Sequence, residues 1–183
     1  MQLMSVSNAF HILATRGDGA YGLAGVTQLE HALQSAALAD ARKLGPAFTI
    51  AALFHDVGHL LTEDDVALAE AGIDDRHEAA GAAMLASLFG PEVVEPIRLH
   101  VPAKRWLCSV EPDYFDLLAP DSVRSLRLQG GAMTLAEAAD FAKQPYAMAA
   151  ADLRRVDDEA KMPGLAVPPL EAYRALADEL ARR

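Results

Sequence analysis

The sequence is poor in cysteine and in aromatic residues. The first shortage excludes two kinds of cross-linked or metal-bound protein, and the second bears on the fold class. Cys108 is the only cysteine among 183 residues, so a disulfide framework and a zinc cluster built on thiolates are both excluded. Aromatic residues make up 6% of the chain although 52% of it is hydrophobic. Alanine and leucine supply most of that hydrophobic content, and such a composition favours an all-α fold.

Basic residues are also scarce, with 16 lysines and arginines against 26 aspartates and glutamates and a formal net charge of −10. An acidic surface of this kind argues against nucleic acid or an anionic membrane as a partner. Residues 1–17 lack the pattern of a signal peptide, and no stretch approaches the roughly 20 apolar residues needed to span a bilayer. We expect a cytoplasmic protein in which local basic side chains hold any anionic substrate.

Glycine and proline divide the chain into about eight predicted helices, and the absence of a linker or repeat favours one domain over residues 1–183. Thr27 and Glu30 form a capping-box pattern at the start of one helix, and Thr134 and Glu137 form another. Pro102 is expected to end or kink its helix, and residues 61–74 are expected to form a loop with a short helical piece. The helices most relevant below are predicted at residues 27–44, 47–60, 75–89, 91–100 and 145–161.

The candidate site centres on AALFHDVGH, residues 51–59, in which a histidine-aspartate pair follows an apolar stretch with the pattern of a helix. His55 offers one nitrogen to a cation, and Asp56 has two oxygens that can bridge two cations. His59 follows His55 by four positions and is expected one helical turn further on, facing the same cavity. A hydrogen-bonded pair in the core is the alternative interpretation of His55 and Asp56 taken alone.

Further donors of the same kind are spread along the chain. Six nitrogen and oxygen donors are too many for one closed tetrahedral zinc and suit two metals that share a carboxylate. Without a thiolate, such a set favours iron or manganese over zinc. The candidate donors are His31, His55, Asp56, His77, His100 and an aspartate within residues 152–158.

The order His…His-Asp…His…His…Asp is the pattern of HD-domain proteins with a two-metal centre. The finer match resembles the HD-domain mixed-valent diiron oxygenases that cleave the C–P bond of 1-hydroxyphosphonates, to which myo-inositol oxygenase is a distant relative. The resemblance spans residues 21–161. It is carried by QLEHALQ (28–34), HDVGH (55–59), LRLQGG (126–131) and LRRVDD (153–158).

This resemblance implies an HD-domain helical bundle around two iron ions, Fe(II) and Fe(III). It implies a small phosphonate and O2 as substrates, and a carboxylic acid and phosphate as products. One iron would be held by His31, His55 and Asp157 and the other by His77 and His100, with Asp56 bridging them. Asp157 is chosen over Asp152 and Asp158 because Asp157 and Lys161 match the Asp-x-x-x-Lys ending of the relatives.

The resemblance also assigns substrate contacts. His59, Lys104, Ser122 and Arg154 match phosphonate-binding positions, and a cation, a guanidinium and small donors suit a dianion. Gln28 is a further expected substrate contact. Tyr21 matches a tyrosine that covers the iron without substrate and swings away on binding, although a structural tyrosine closing a loop is the alternative. Tyr21, His59 and Lys104 are the residues expected to act in catalysis.

One position departs from the relatives that accept a primary amine. They carry a glutamate three residues after the tyrosine, where this chain has Ala24. The departure puts 2-amino-1-hydroxyethylphosphonate in doubt. A quaternary ammonium substrate such as 1-hydroxy-2-(trimethylammonio)ethylphosphonate, which needs no hydrogen-bond acceptor, or a substrate without an amine is favoured instead.

Two other functions compete with the oxygenase. In a metal-dependent HD-type phosphohydrolase the same metals would activate water, and Lys104 and Arg154 would hold a phosphate ester. A degenerate HD domain that only binds or regulates is the alternative outside enzymes, but the complete set of six donors argues against it.

Overall fold

The computed structural model describes residues 4–61 and 74–181, and these residues form the all-α fold that the composition predicts. The predicted loop at residues 61–74 falls almost entirely outside the described residues. In the described part of the chain there are nine α-helices, where about eight were expected. They are α1 (Val6–Arg16), α2 (Gln28–Ala41), α3 (Pro46–Phe54), α4 (His77–Leu85), α5 (Pro91–Val110), α6 (Pro120–Leu128), α7 (Leu135–Phe141), α8 (Ala147–Glu159) and α9 (Arg174–Leu180).

Several helices begin where the local chemistry of the sequence places their start. At α2, Glu30 N–H donates to Thr27 Oγ1 at 3.1 Å and Thr27 N–H donates to Glu30 Oε2 at 2.7 Å. The same reciprocal pair forms at α7 between Thr134 and Glu137, so both predicted capping boxes are confirmed. Helices α3, α5 and α6 each carry a proline in the first turn, where its missing N–H costs no hydrogen bond.

The segment with the His-Asp pair is not the single helix predicted over residues 47–60. Helix α3 ends at Phe54, and the chain then tightens into a 3-10 turn, Val57–Leu61. Gly58 shows the reason, because a Cβ added there would lie 2.0 Å from the backbone oxygen of His77. The turn therefore packs directly on the first residue of α4, and the expectation that His59 lies one α-helical turn beyond His55 was wrong.

Helix α5 also differs from its prediction, because it continues through Pro96 and Pro102 and ends only at Val110. A proline inside a helix removes one hydrogen bond and costs about 3 kcal/mol. Burial on both sides of Pro102 offsets this cost, since Leu99, Val101, Ala103 and Leu107 are all within the core. The longer helix keeps Lys104 on the same rigid element as His100.

Two clusters of buried apolar side chains form the interior. The first joins α1, α2, α3 and α4 to one half of α5, and the second joins α6 and α7 to the other half. Helices α5 and α8 pack along each other and contribute to both clusters. Within residues 4–61 and 74–181, no helix has the length and apolar character required to cross a bilayer. That residues 1–183 form one domain stays a prediction.

Candidate metal centre

The six predicted donor residues meet in one buried cluster, although they come from distant parts of the chain. None of them is more than 8% exposed, so the cluster is shielded from bulk solvent. Helices α2, α4, α5 and α8 each contribute one residue, and the end of α3 contributes two. The residues are His31, His55, Asp56, His77, His100 and Asp157.

Hydrogen bonds at Nδ1 fix the orientation of the four histidine rings. Three rings meet backbone carbonyl oxygens: His31 at Ala160 (2.8 Å), His55 at Ala52 (2.9 Å) and His100 at Ile97 (2.7 Å). The fourth, His77, meets Asp75 Oδ1 at 3.0 Å. Because a carbonyl or carboxylate oxygen can only accept here, each Nδ1 carries the hydrogen, and Nε2 of each neutral ring presents a lone pair to the cluster.

Asp56 lies between two pairs of histidines and turns one oxygen to each pair. Its Oδ2 is 3.5 Å from His31 Nε2 and 3.2 Å from His55 Nε2. Its Oδ1 is 3.4 Å from the Nε2 atoms of both His77 and His100. This is the arrangement of a carboxylate that bridges two cations.

Asp157 completes the first of these two groups. Its Oδ1 lies 3.4 Å from His31 Nε2 and 4.0 Å from His55 Nε2. The ligand atoms of His31, His55, Asp56 and Asp157 all lie within 4.8 Å of one another. Asp158, the alternative donor, instead contacts Arg154 and Tyr114.

Several contacts within the cluster are unfavourable unless metal ions are bound. The Nε2 atoms of His77 and His100 are 3.2 Å apart although both carry lone pairs in the neutral tautomers. Asp56 Oδ1 is buried and has no hydrogen-bond partner among the described residues. Facing lone pairs and a buried orphan oxygen are costly unless a cation lies between them. The cluster therefore has the chemistry of a metal site. Its donors form two groups around Asp56, with His31, His55 and Asp157 at what we call the first position and His77 and His100 at the second.

Both carboxylates of the centre are ionised despite their burial. Burial raises the pKa of Asp56, but contacts with His55 and other rings of the cluster outweigh it and hold that pKa well below its usual range. Burial acts in the same direction on Asp157, and the charges of Arg154 and Lys161 likewise bring its pKa well below the usual range. The centre therefore offers two negative charges to a cation.

The two histidine groups differ in how they hold protons. Burial lowers the pKa of His31, but hydrogen bonds with Asp157 and Asp56 outweigh it and raise that pKa to about 9. Burial lowers the pKa of His77 to about 4, and the nearby His59 adds to the effect. In the metal-free protein a proton can therefore occupy the first position near neutral pH, whereas His77 stays neutral.

Tyr21 lies against the first group, where the sequence predicts it. Its ring stacks on the ring of His31 with centroids 3.9 Å apart, and its hydroxyl donates to Asp157 Oδ1 at 3.1 Å. Lys161 Nζ lies 5.4 Å from the centre of the tyrosine ring and 3.3 Å from Asp157 Oδ1. Tyr21 thus covers the donors of one metal position, and its role as a movable cover stays a prediction.

The loop after Tyr21 is attached to the start of α6. Leu23 N–H donates to Asp121 Oδ2 at 2.7 Å. Gly22 adopts a positive φ of 51°, and a Cβ added there would lie 2.4 Å from the same oxygen. The close approach requires glycine, and it places Ala24 on a loop that is held beside the helix carrying Ser122.

His59 borders the second metal position rather than the first. Its ring stacks on His77 with centroids 3.8 Å apart, and its Nδ1 lies 2.7 Å from Asp75 Oδ2. One of its nitrogens also lies within 4.8 Å of donor atoms of Asp56 and His77. The sequence predicted that His59 faces the cavity, but it reaches that cavity through the 3-10 turn.

Two buried cations lie beside the metal cluster. Arg154 is 4% exposed and Lys104 only 2%. Arg154 contacts Asp157 Oδ2 at 2.5 Å and donates to Ser122 Oγ at 3.1 Å. Lys104 donates to Ser125 Oγ at 2.7 Å, and burial together with the charge of Arg154 lowers its pKa to about 7. Two cations that repel each other in a buried place are typical of an anion-binding site.

Two residues of this region, Tyr114 and Ser125, were not predicted from the sequence. Tyr114 accepts from Arg154 Nε at 3.3 Å and also contacts Asp158, while Ser125 holds Lys104. One signal for Ser125 was available, because it lies one helical turn after Ser122 on α6. Tyr114 lies in the irregular segment after α5, where no periodicity reveals which side chains turn inward.

Two further residues named from the sequence, Gln28 and Asp152, make contacts outside the donor cluster. Gln28 is the first residue of α2, its side chain is partly buried, and its backbone N–H donates to Gly19 O at 2.9 Å. Its contact with substrate stays a prediction. Asp152 is exposed and pairs with Arg155 at 3.1 Å, which agrees with the preference for Asp157 as the last donor.

Comparison with known proteins places these residues in a family. The sequence profile of the HD domain matches residues 29–182. A hydroxymethylphosphonate dioxygenase from Gimesia maris is 49% identical over 172 residues, which cover 92% of this chain and 84% of the relative. The [1-hydroxy-2-(trimethylamino)ethyl]phosphonate dioxygenase (glycine-betaine-forming) from Leisingera caerulea is 36% identical over 86% of this chain and 80% of the relative. An uncharacterised mimivirus protein, L432, is 28% identical over 97% of this chain.

The protonated state of His31 predicts that metal binding is linked to pH. Because its pKa is about 9 in the metal-free protein, a metal ion must displace one proton there below that pH, and apparent affinity should rise about tenfold per pH unit up to about pH 9. Calorimetric titration of metal-free protein with Mn²⁺ at pH 7.5, in buffers of different ionisation enthalpy, should show about one proton released for this position. Heats independent of the buffer would contradict the assignment.

Proposed function

The chain belongs to the HD-domain family, in its branch of phosphonate dioxygenases, and we propose that it acts on hydroxymethylphosphonate with two iron ions. It is an enzyme that uses O2 to cleave the C–P bond of a hydroxyphosphonate. For hydroxymethylphosphonate the balanced reaction consumes one O2 and yields formate and phosphate. The predictions of an HD-domain oxygenase and of its reaction class are confirmed by these relatives.

The observation that carries the proposal is the contact of Arg154 with both parts of the site. Its guanidinium reaches Asp157 Oδ2 at 2.5 Å and Ser122 Oγ at 3.1 Å. The same side chain therefore touches a metal donor and a group suited to a phosphonate oxygen. A substrate that joins a hydroxyl and a phosphonate through one carbon can bring its hydroxyl to the metal donors while its phosphonate meets Arg154 and Ser122.

Around that substrate, the side chains of this chain have distinct tasks. Arg154 and Lys104 neutralise the phosphonate, and Ser122 donates to one of its oxygens. Tyr21 gives up its contact with Asp157 so that the substrate hydroxyl can approach the first position. Two iron ions, when bound by the six donors, would supply the binding and reduction of O2. Burial of the centre keeps water away from the reacting carbon.

Iron is proposed on the chemistry of the donors. The set contains imidazole nitrogens and carboxylate oxygens, and Cys108 is not among the donor residues. Such donors suit iron and manganese, and the oxidation of a C–H bond by O2 requires a metal that changes its oxidation state. The Fe(II)/Fe(III) pair expected from the resemblance meets that requirement.

The small substrate is proposed from the loop after Tyr21. Ala24 provides no carboxylate for a primary amine at that position. The ring of Tyr21 lies against the first position, where it is stacked on His31 and already has the Lys161 ammonium 5.4 Å from its centre. A quaternary ammonium group would have to compete with that cation, whereas hydroxymethylphosphonate presents no charge at this end.

Measured turnover distinguishes hydroxymethylphosphonate from the trimethylammonio and amino analogues. Protein loaded anaerobically with iron should, on addition of O2, release phosphate and consume O2 in equal amounts with hydroxymethylphosphonate. The trimethylammonio and amino analogues should give a kcat/KM at least about tenfold lower, equivalent to roughly 1.4 kcal/mol. An O2 electrode and a phosphate assay measure both quantities, and His55→Ala serves as the inactive control because it loses one donor of the first position.

The same assay can overturn the proposal in two ways. Release of phosphate from p-nitrophenyl phosphate without O2 would establish the phosphohydrolase instead. A preference for the trimethylammonio substrate would keep the dioxygenase but reject hydroxymethylphosphonate, and would require that Tyr21 exchanges Lys161 for the substrate cation.

Lys104 tests the proposed anion site. Lys104→Met keeps the length of the side chain and removes its charge, so KM should rise about 10- to 150-fold, as expected for loss of about 1.5–3 kcal/mol from a charge-assisted hydrogen bond. Lys143→Met, on an exposed side chain paired with Asp140, is the control and should leave KM unchanged. Steady-state kinetics decide, and an equal KM in the two variants would remove Lys104 from the site.

Ala24 tests the origin of substrate choice. Ala24→Glu restores the carboxylate of the amine-accepting relatives and should raise kcat/KM for 2-amino-1-hydroxyethylphosphonate about tenfold or more relative to hydroxymethylphosphonate. Ala24→Gln, of the same size but without the charge, should produce no such change. If both variants shift the ratio equally, size rather than charge at this position selects the substrate.

A further inference from the structure

Asp75 lies outside the six predicted donors, yet it contacts two histidines of the site at once. Its Oδ1 is 3.0 Å from His77 Nδ1, and its Oδ2 is 2.7 Å from His59 Nδ1. Each carboxylate oxygen is therefore matched to one ring. Because the contact with His77 uses Nδ1, Nε2 of that ring faces Asp56 Oδ1 and His100 at the second metal position.

The backbone around Asp75 is held in an unfavourable conformation. Arg76 precedes α4 with a left-handed φ of 51° and ψ of 38°, a conformation that residues with a side chain rarely adopt. The turn carries Asp75 Oδ1 to within 3.4 Å of the His77 backbone N–H as well as the ring. Strain that persists next to a cluster of polar side chains indicates a position that the site requires.

The two histidines are also packed as one unit. Their rings stack with centroids 3.8 Å apart and an angle of 21° between planes. Gly58 brings the 3-10 turn against the backbone of His77, where a Cβ would lie 2.0 Å from the oxygen. Neither ring can turn without moving the other or breaking its contact with Asp75.

We propose that Asp75 is a positioning residue that holds His77 toward the second metal position and His59 toward the substrate. The inference rests on the proposed function for the role of His59, but its first test needs neither phosphonate nor O2. A carboxylate behind a metal-bound histidine fixes its tautomer and orientation, and its loss lowers metal affinity by about 10- to 100-fold. Through Asp75, the second metal position and the substrate contact depend on the contacts of one carboxylate.

The first experiment titrates metal-free protein with Mn²⁺ alone and measures affinity at each position by calorimetry. Asp75→Asn should keep the tight first equivalent and weaken the second by about 10- to 100-fold. Asp74→Asn, which changes the same charge at the neighbouring residue, is the matched control and should bind both equivalents as the parent does. Unchanged affinity for both equivalents in Asp75→Asn would overturn the proposal and leave the dioxygenase assignment intact.

The second experiment tests the link to His59 with inorganic phosphate as the probe, at saturating Mn²⁺. Asp75→Asn should weaken phosphate binding in the parent but cause no further loss in a His59→Ala background, because the effect passes through that ring. An equal loss in both backgrounds would show a general structural effect and reject the role. A general effect would also lower the Tm of the metal-free variant.

Asp75→Glu gives a second route if Asp75→Asn does not fold. It keeps the negative charge but displaces the carboxylate from both rings, so the second Mn²⁺ equivalent should again weaken selectively. Full affinity for both equivalents in this variant would mean that the charge of residue 75, and not its contacts, is what matters, and the positioning role would be wrong.

Discussion

The position of Asp56 between two pairs of histidines is the constraint on which the rest of the structure depends. Its two oxygens face different pairs at 3.2–3.5 Å, and one of them has no hydrogen-bond partner among the described residues. A buried carboxylate oxygen without a hydrogen-bond partner is costly, and a cation beside it would remove that cost. The elements that supply the four rings must then approach one residue closely, and Gly58 permits the approach of the 3-10 turn to the backbone of His77.

Backbone carbonyl groups prepare the centre before any metal binds. Three of the four histidines have Nδ1 fixed by a carbonyl oxygen of a helix or its end, and this turns Nε2 of each ring toward the cluster. His77, the first residue of its helix, is the exception, because its Nδ1 meets a carboxylate instead of a carbonyl oxygen. Asp75 takes that place, which explains why the chain accepts a left-handed residue at Arg76.

Much of the site could be predicted from the sequence because the donors follow the order His…His-Asp…His…His…Asp, and their division between two metal positions followed from the resemblance to HD-domain oxygenases. The fold class followed from composition in the same way. Local patterns could not show that α3 ends at Phe54, because that depends on the contact of Gly58 with His77, distant in sequence. Nor could they show that α5 continues through Pro102, where tertiary burial outweighs the local cost of proline. Tyr114 was missed because only tertiary packing brings the irregular segment after α5 to Arg154. Ser125 contacts Lys104 across two helices, and its position one turn after Ser122 was the signal that could have shown it.

Charged side chains connect each metal position to the place where substrate is proposed to bind. Arg154 connects Asp157 of the first position to Ser122, and Asp75 connects His77 of the second position to His59. A phosphonate that binds these contacts changes the charge seen by both positions, and a metal that binds changes the groups that hold the phosphonate. Binding of metal and of phosphonate should therefore strengthen each other, as linkage requires of any two ligands that share a contact. A hydrolytic HD site requires only that its metals activate water. The same two connections in an oxygenase would ensure that both metal positions are complete when the substrate arrives.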